Sequence, residues 1–386
     1  MAESYALVEE TTEYNTAFNP LNAPETILVA GSKNVMIDGR NGIVRSRNGY
    51  TRLGAGNTAL TPNRNAWTWH TSTGTELPQK FYDDELEVYL GTIDSIVINA
   101  WTRVKNSWST TEKLRSTNWF DATENLDLQI MVQGDDNLYE WNGAVAVVAS
   151  ITGTTITKEG TTTFAQSRFY TTRNKTVVCV RTQTEYTYTG GETTLTITGI
   201  ADTAGLIAGD ILVQKIVTDT DSIASGRNNH TIFSFENQLV IGSEDDEEVY
   251  ISQNDDYDDF TFSSPRVAGE GGLLTLDGTS KGFASLGTFL LAFCGRSSIF
   301  KANYEQITVG STLAETLRVK KLDTGIDQSA LNQEVIIPIG NALAYLSHEP
   351  ALRIIDNPEN LQGLNPRTLS NPIKPDFDAE DFTDSF

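Results

Sequence analysis

The chain has 386 residues, 39% of them apolar and 20% charged, so it has the material for a folded core and the length for a propeller or barrel as one domain. Fifty-one acidic against 28 basic side chains leave a net charge of −23, which argues against a surface built to grip nucleic acid, because phosphate contacts need clustered Lys and Arg. A conduit through which DNA slides without sticking is compatible with that charge, and so is plain solubility.

Residues 1–30 are polar with scattered turns (Asn19-Pro20, Ala23-Pro24) and predict an extended N-terminal arm. The opening MAESYALVEETTEY is acidic and has no apolar h-region, so no secretory signal is expected. No apolar run approaches ~18 residues, so no membrane-spanning helix is expected either. Residues 33–54 (KNVMIDGRNGIVRSRNGYTRLG) predict a hairpin, with Asp38-Gly39 and Asn41-Gly42 supplying the positive φ of a tight turn.

Residues 63–120 hold five of the six tryptophans: Trp67, Trp69, Trp101, Trp108 and Trp119. Side chains of this kind pack between blades or sheets with the polar tip at the rim; the sharper reading is a carbohydrate-binding aromatic platform. Residues 125–154 predict the next blade, turning at Gly134-Asp135-Asp136-Asn137 and again at Asn142-Gly143, and 164–182 continue the β pattern. Composition then shifts. Residues 183–228 are rich in Thr, Gly and Ile and alternate strictly at 194–200 and 211–217, which predicts a small β domain inserted between two blades.

Residues 231–304 set the architecture. Two halves share one grammar: a short apolar strand (238–241, 289–293), a polar tight turn, then a strand carrying an aromatic (249–251, 299–300). Further copies lie at 341–355 (NALAYLSHEPALRII) and 128–141 (LQIMVQGDDNLYEW). The last three copies are spaced about fifty residues apart, and four-stranded repeats of that length mark a β-propeller. Helical periodicity is almost absent, apart from one short turn expected near 328–332. The fold class is therefore all-β: a β-propeller-like scaffold over 31–182 and 229–356 with a small inserted β domain at 183–228. The segment 357–386 carries four of the eleven prolines, ends in DFDAEDFTDSF, and predicts an extended acidic tail.

Chemistry is hard to find in this pattern. Cys179 and Cys294 sit in apolar strands (VVCV, LAFCG) and read as small buried hydrophobes, with no disulfide framework. His70, His230 and His348 fall at strand ends or turns, without the spacing of a zinc site. The acidic runs 244–248, 254–259 and 376–384 lack the alternating carboxylates, Gly and closing Glu of a calcium loop and read as solvated turns. There is no Gly-x-Ser-x-Gly elbow and no phosphate-binding GxxxxGK[ST]; Gly269–Gly272 is a glycine-rich turn without a following Lys. No catalytic, cofactor-binding or metal-ligating residue is expected, and no enzymatic activity.

Three stretches carry a likeness to a known family: NVMIDGRNGIVRSRNGYTRLG (34–54), TIFSFENQLVIGSEDDEEVYISQNDDYDDF (231–260), and GGLLTLDGTSKGFASLGTFLLAFCGRSSIFK (271–301) followed by LDTGIDQSALNQEVIIPIGNALAYLS (322–347). The chain resembles the tail nozzle proteins of short-tailed bacteriophages, also called tail tubular protein B, hub or stabilisation proteins. The resemblance implies a structural virion protein in the phage tail, assembled in the host cytoplasm. It would form a ring, typically of six copies, that passes DNA without binding it specifically. An adaptor or tube would sit above the ring, and fibres or a needle below. It implies no cofactor and no residue-level site. Two rivals stay open on the residues alone. One is a receptor- or glycan-binding propeller with Trp67, Trp69 and Trp101 exposed beside a pocket. The other is a propeller glycosidase with acidic residues at a central tunnel.

Overall fold

The computed structural model describes residues 63–219, 226–263, 267–309, 312–322, 328–349 and 351–355, with short strands at 13–14, 27–28, 35–38, 43–46 and 367–368. The chain divides into two compact units, Arg52–Ser280 with Tyr304–Thr316, and Met1–Thr51 with Lys281–Asn303 and Leu317–Phe386.

Near the N-terminus β1 (Glu13–Tyr14) pairs in parallel with β2 (Ile27–Leu28), and β3 (Val35–Asp38) pairs antiparallel with β4 (Ile43–Ser46), the predicted hairpin. The first four-stranded sheet is a meander of β5 (Asn63–His70), β6 (Glu76–Tyr82), β7 (Glu85–Ile93) and β8 (Ile96–Lys105). Alternation decides its inner face: Leu86, Val88 and Leu90 of β7 are buried while their neighbours are half-buried. The β7–β8 turn is only Asp94-Ser95, both at positive φ (51° and 71°), the backbone of a primed two-residue hairpin turn.

The second sheet starts with β9 (Arg115–Asp121), β10 (Leu126–Val132) and β11 (Leu138–Trp141). Both faces of β10 are covered. Leu128, Ile130 and Val132 join one apolar cluster and Met131 another, which explains why LQIMV reads as a nearly unbroken apolar run. On the Met131 face, Gln129 exchanges side-chain hydrogen bonds with Gln79 at 2.9 Å, so the buried amides satisfy each other across two sheets.

After Trp141 the chain leaves the sheet at Gly143. This glycine has φ +74°, and an added Cβ would lie 2.4 Å from Trp69 Cζ3, so the exit requires glycine. There follow β12 (Val145–Thr152), β13 (Thr155–Lys158), β14 (Thr176–Cys179), β15 (Glu185–Thr187), β16 (Thr196–Ile197) and β17 (Ile211–Gln214). They form one six-stranded sheet in the order β15-β14-β17-β12-β13-β16. Then β18 (Val217–Asp219) returns to pair with β11 and completes the second sheet as β18-β11-β10-β9.

The inserted domain is thus larger than the 183–228 predicted. Strands of 145–179, assigned to the propeller, belong to the inserted sheet, and 217–219 belongs to the blade. The reason is visible in the packing. Three strands of this sheet, β12, β14 and β17, are buried on both faces: Val145, Val178 and Val213 face the core of the first two sheets, whereas Ala146, Val177 and Leu212 face a core of the domain's own. Continuous apolar runs with two buried faces look like blade strands, and strand pairing between distant segments leaves no local signature.

The third sheet is a meander of β19 (Asn229–Phe235), β20 (Gln238–Ser243), β21 (Glu248–Ile251) and β22 (Gly272–Thr275). Its first turn, Glu236-Asn237, again has two positive φ values, 46° and 59°. A fourth sheet comprises β23 (Ser280–Leu286), β24 (Phe289–Cys294), β25 (Ser298–Val309) and β26 (Thr312–Lys321). A fifth comprises β27 (Ile336–Ile339), β28 (Ala342–Ser347), β29 (Ala351–Ile355) and β30 (Arg367–Thr368). Phe293 and Tyr345 meet with ring centroids 5.0 Å apart in a core shared by Leu291, Val335 and Ile355. The expected helical turn is a 3-10 turn displaced to Gln333–Val335, where Asn332 caps by accepting from the Glu334 N–H.

Among the described residues there are five four-stranded antiparallel sheets and no α-helix. The protein is all-β, with a propeller-like scaffold and an inserted β domain. No helix among the described residues is long and apolar enough to cross a membrane. The arm at 1–30 and the tail at 357–386 lie outside the described residues apart from β1, β2 and β30.

Candidate functional site

A cleft of about 330 Å³ opens between the second and third sheets. One wall comes from β9, where Asn118, Trp119 and Phe120 follow one another, and from Ala122 just beyond it. Asp127 of β10 borders the same wall, and Ser234, Asn237 and Asp255 close the other side. The walls are tied together where the Ser234 N–H donates to Thr117 Oγ1 at 3.1 Å. Trp119 is buried edge-on against Tyr257, with centroids 5.9 Å apart, whereas Phe120 leaves 53% of its surface in water.

The polar groups of the cleft are held but not used up. Ser72 donates to Asp127 Oδ2 from both its N–H (3.1 Å) and its hydroxyl (2.8 Å), and Arg168 Nη1 lies 3.6 Å from the same oxygen. Asn118 Nδ2 donates to the His70 carbonyl at 3.2 Å. The Asp255 N–H donates to the Asn237 carbonyl at 2.8 Å, which pins the hairpin turn against the loop after β21. Asn254 Nδ2 donates to Asp255 Oδ2 at 2.9 Å. Among the described residues no hydrogen bond reaches Oδ1 of Asp127 or of Asp255, and none reaches the Asn237 side-chain amide.

Next to the cleft lies a group of the opposite kind. Glu140 of β11 is 2% exposed and accepts from the hydroxyls of Tyr170 and Tyr257, with Arg173 Nη2 at 3.3 Å. Arg173 also reaches Asp121 Oδ2 at 2.5 Å. Burial first, and the Glu140 charge second, push both tyrosyl groups well above the ordinary phenol value. Glu124 accepts from the N–H and hydroxyl of Thr171 (3.2 and 3.0 Å) and from the Thr172 N–H at 2.9 Å and its hydroxyl. Burial alone would raise this carboxyl, but the hydrogen bonds from Thr172 and Thr171 outweigh it and hold it below the usual range. The network joins β11, the inserted segment 170–173 and the third-sheet loop at Tyr257. Both Glu140 oxygens are taken by buried partners, which ties these segments together, while Arg173 Nε is buried without a hydrogen-bond partner.

The histidines fall apart as a set. His70 is exposed near Glu76 (3.6 Å), and the His348 N–H donates to the Ser329 carbonyl at 3.2 Å. His230 lies with Glu112 and Glu244 in a group whose ligand atoms are within 4.8 Å of one another. Sequence spacing could not show this, since three separate segments supply it. Arg115 Nη1 stands 2.5 Å from His230 Nε2 and 3.0 Å from its carbonyl, so a guanidinium already holds the place of a cation.

The tryptophan platform required by the glycan-binding rival does not form where it was expected. Trp69 is 2% exposed and packs on Trp141 at 5.9 Å, and Trp67 packs against the same core. Trp101 meets Tyr89 at 5.6 Å and carries the Lys80 ammonium 4.7 Å above its ring. An exposed aromatic that lines a cleft is Phe120, next to the buried Trp119 in the run NWFD, and residue type alone does not tell the two apart. Of the acidic runs, Asp246 and Glu248 hold the buried Arg227 at 2.9 and 3.4 Å. Asp255 borders the cleft, and 376–384 lies outside the described residues. Both cysteines are buried, and neither is in a disulfide.

No family model matches the chain, and no curated protein matches it. Among solved structures it is similar to Hsv2 of Kluyveromyces lactis with complete loop 6CD, at 11% identity over 72% of this chain and 69% of that one, TM-score 0.25. It is similar to the computationally designed Ika8 protein at 10% identity over 80% and 87%, TM-score 0.26. It is also similar to a humanized mutant of the Chaetomium thermophilum Polycomb Repressive Complex 2 bound to the inhibitor GSK126, at 9% identity over 78% and 72%, TM-score 0.29. Likeness at this level carries no functional argument, and the fold assignment rests on the sheets themselves: successive four-stranded antiparallel meanders make this an all-β, propeller-like protein.

Proposed function

We propose that the chain is a structural, non-catalytic protein of a bacteriophage tail, of the nozzle type, which assembles with copies of itself and with other tail proteins around the path of the DNA. What carries this reading is the match between resemblance and structure. The stretches 231–260, 271–301 and 322–347, which resemble that family, supply strands of three successive four-stranded sheets. The net charge of −23 supports it further, because a like-charged wall gives DNA few places to bind. The similar structures named above bear on neither this reading nor its rival. The test is light scattering of the purified protein followed by negative-stain imaging, with and without tail components. The expected result is a ring with a central hole, alone or on the tail. A monomer that never joins a larger assembly overturns the proposal.

A second reading is a recognition module, and one observation favours it: the cleft lined by Asn118, Phe120, Asn237 and Asp255, where Oδ1 of Asp255 and the Asn237 amide take no hydrogen bond from the described residues. It requires a different partner chemistry from the ring and is tested by binding to an immobilised glycan array.

A further inference from the structure

We infer that the cleft between the second and third sheets binds one pyranose-type sugar unit; this deepens the recognition reading and does not depend on ring assembly. A sugar ring presents an apolar face of C–H bonds and a rim of hydroxyls. It calls for an exposed aromatic surface beside carboxylate and amide groups. The cleft supplies each part. Phe120 is a large apolar side chain of the lining, left half in water. Oδ1 of Asp127 and Oδ1 of Asp255 are open acceptors for ligand hydroxyls. The Asn237 amide adds one acceptor and a pair of donors on the opposite side. At about 330 Å³ the space is at the small end of the ligand-pocket range of roughly 300–1,000 Å³, suited to one ring rather than a long chain.

Charge argues against the other small ligands. Phosphate or another anion would face two carboxylates, and Arg168 is already committed to Asp127 and to the carbonyl oxygens of Asn142 and Asp127. An ammonium ion would find Asp127 answered by Arg168 and by two donors from Ser72, leaving Asp255 as one exposed, solvated carboxylate. A neutral polyol needs only acceptors in fixed places. The backbone fixes them: Asn237 sits on a two-residue turn with both residues at positive φ, and its carbonyl is bonded to Asp255.

The test uses the full chain and a panel of methyl glycosides of glucose, galactose, mannose and N-acetylglucosamine, with spermidine as the cationic probe. Saturation-transfer NMR and tryptophan fluorescence are the readouts. At least one glycoside is expected to saturate in the millimolar range, as suits a ligand of about a dozen heavy atoms. Phe120→Ala and Asp255→Ala are each expected to weaken that binding at least about tenfold while leaving the thermal midpoint unchanged. The inference is overturned if no glycoside saturates, if binding survives both substitutions, or if spermidine competes for the cleft. Glycan-array binding that persists in the two variants would sink this cleft assignment and leave the recognition reading standing. An array on which the wild-type chain binds nothing would end both.

Discussion

Two neighbouring groups of carboxylates, amides and aromatics behave in opposite ways. Around Glu140 the carboxylate is closed off: two tyrosyl hydroxyls and a guanidinium converge on it in the interior. A few residues away, Asp127 and Asp255 each have one oxygen held and the other open to the cleft. The residue types are nearly the same. What differs is whether the neighbours complete the hydrogen bonds, and that separates a clamp from a binding surface.

The largest way to break the contrast is Glu140→Ala. It leaves two buried hydroxyls without their acceptor and Arg173 with Asp121 as its remaining carboxylate, and we expect a loss of about 2–6 kcal/mol, at about 1–3 for each abandoned hydroxyl, read as a lower urea midpoint with an unchanged slope. Next comes pH. Tyr170 and Tyr257 have raised pKa values in the fold, so the folded state holds their protons more tightly than the unfolded chain. The stabilisation is complete below the ordinary phenol value of about 10 and is lost as pH rises from there toward the raised values. Circular dichroism should show alkaline unfolding beginning above that point, with a shallower pH slope in Tyr257→Phe.

A smaller effect is expected at Glu124. Glu124→Ala should cost about 1–3 kcal/mol through the Thr171 and Thr172 donors it abandons. Because its carboxyl is held below the usual range, its contribution is present above the unfolded value of about 4.3 and fades as pH falls through the folded one. The wild-type chain should therefore lose thermal midpoint between neutral and acidic pH faster than the variant. Smallest of all, Phe120→Ala and Asp255→Ala should each change stability by no more than about 0.5 kcal/mol in the same urea titration, since both side chains are exposed. A large loss in either would place the cleft on the clamp's side of the comparison.

Much of the scaffold was legible from residues alone. The apolar strands at 238–241 and 289–293, their polar turns and their spacing of about fifty residues announced the meanders. The inserted domain announced itself by composition, but its true start was hidden. GAVAVVA serves two cores at once and therefore looks like any buried strand. The cleft was not legible. Asn118, Asn237 and Asp255 come from three elements, and nothing in the tryptophan content distinguishes a buried Trp69 from an exposed Phe120.

The return of β18 to β11 also sets an order of events during synthesis. When the ribosome has made β9, β10 and β11, the outer edge of β11 still has no strand beside it, because that partner is encoded only after the whole inserted domain. The nascent chain must therefore carry an open sheet edge until the excursion has emerged, and the domain at 145–214 must bring its two ends together for the edge to close. A folding defect confined to the inserted core would thus appear first as intermolecular sticking of the blade beside it, at a site it does not touch in sequence.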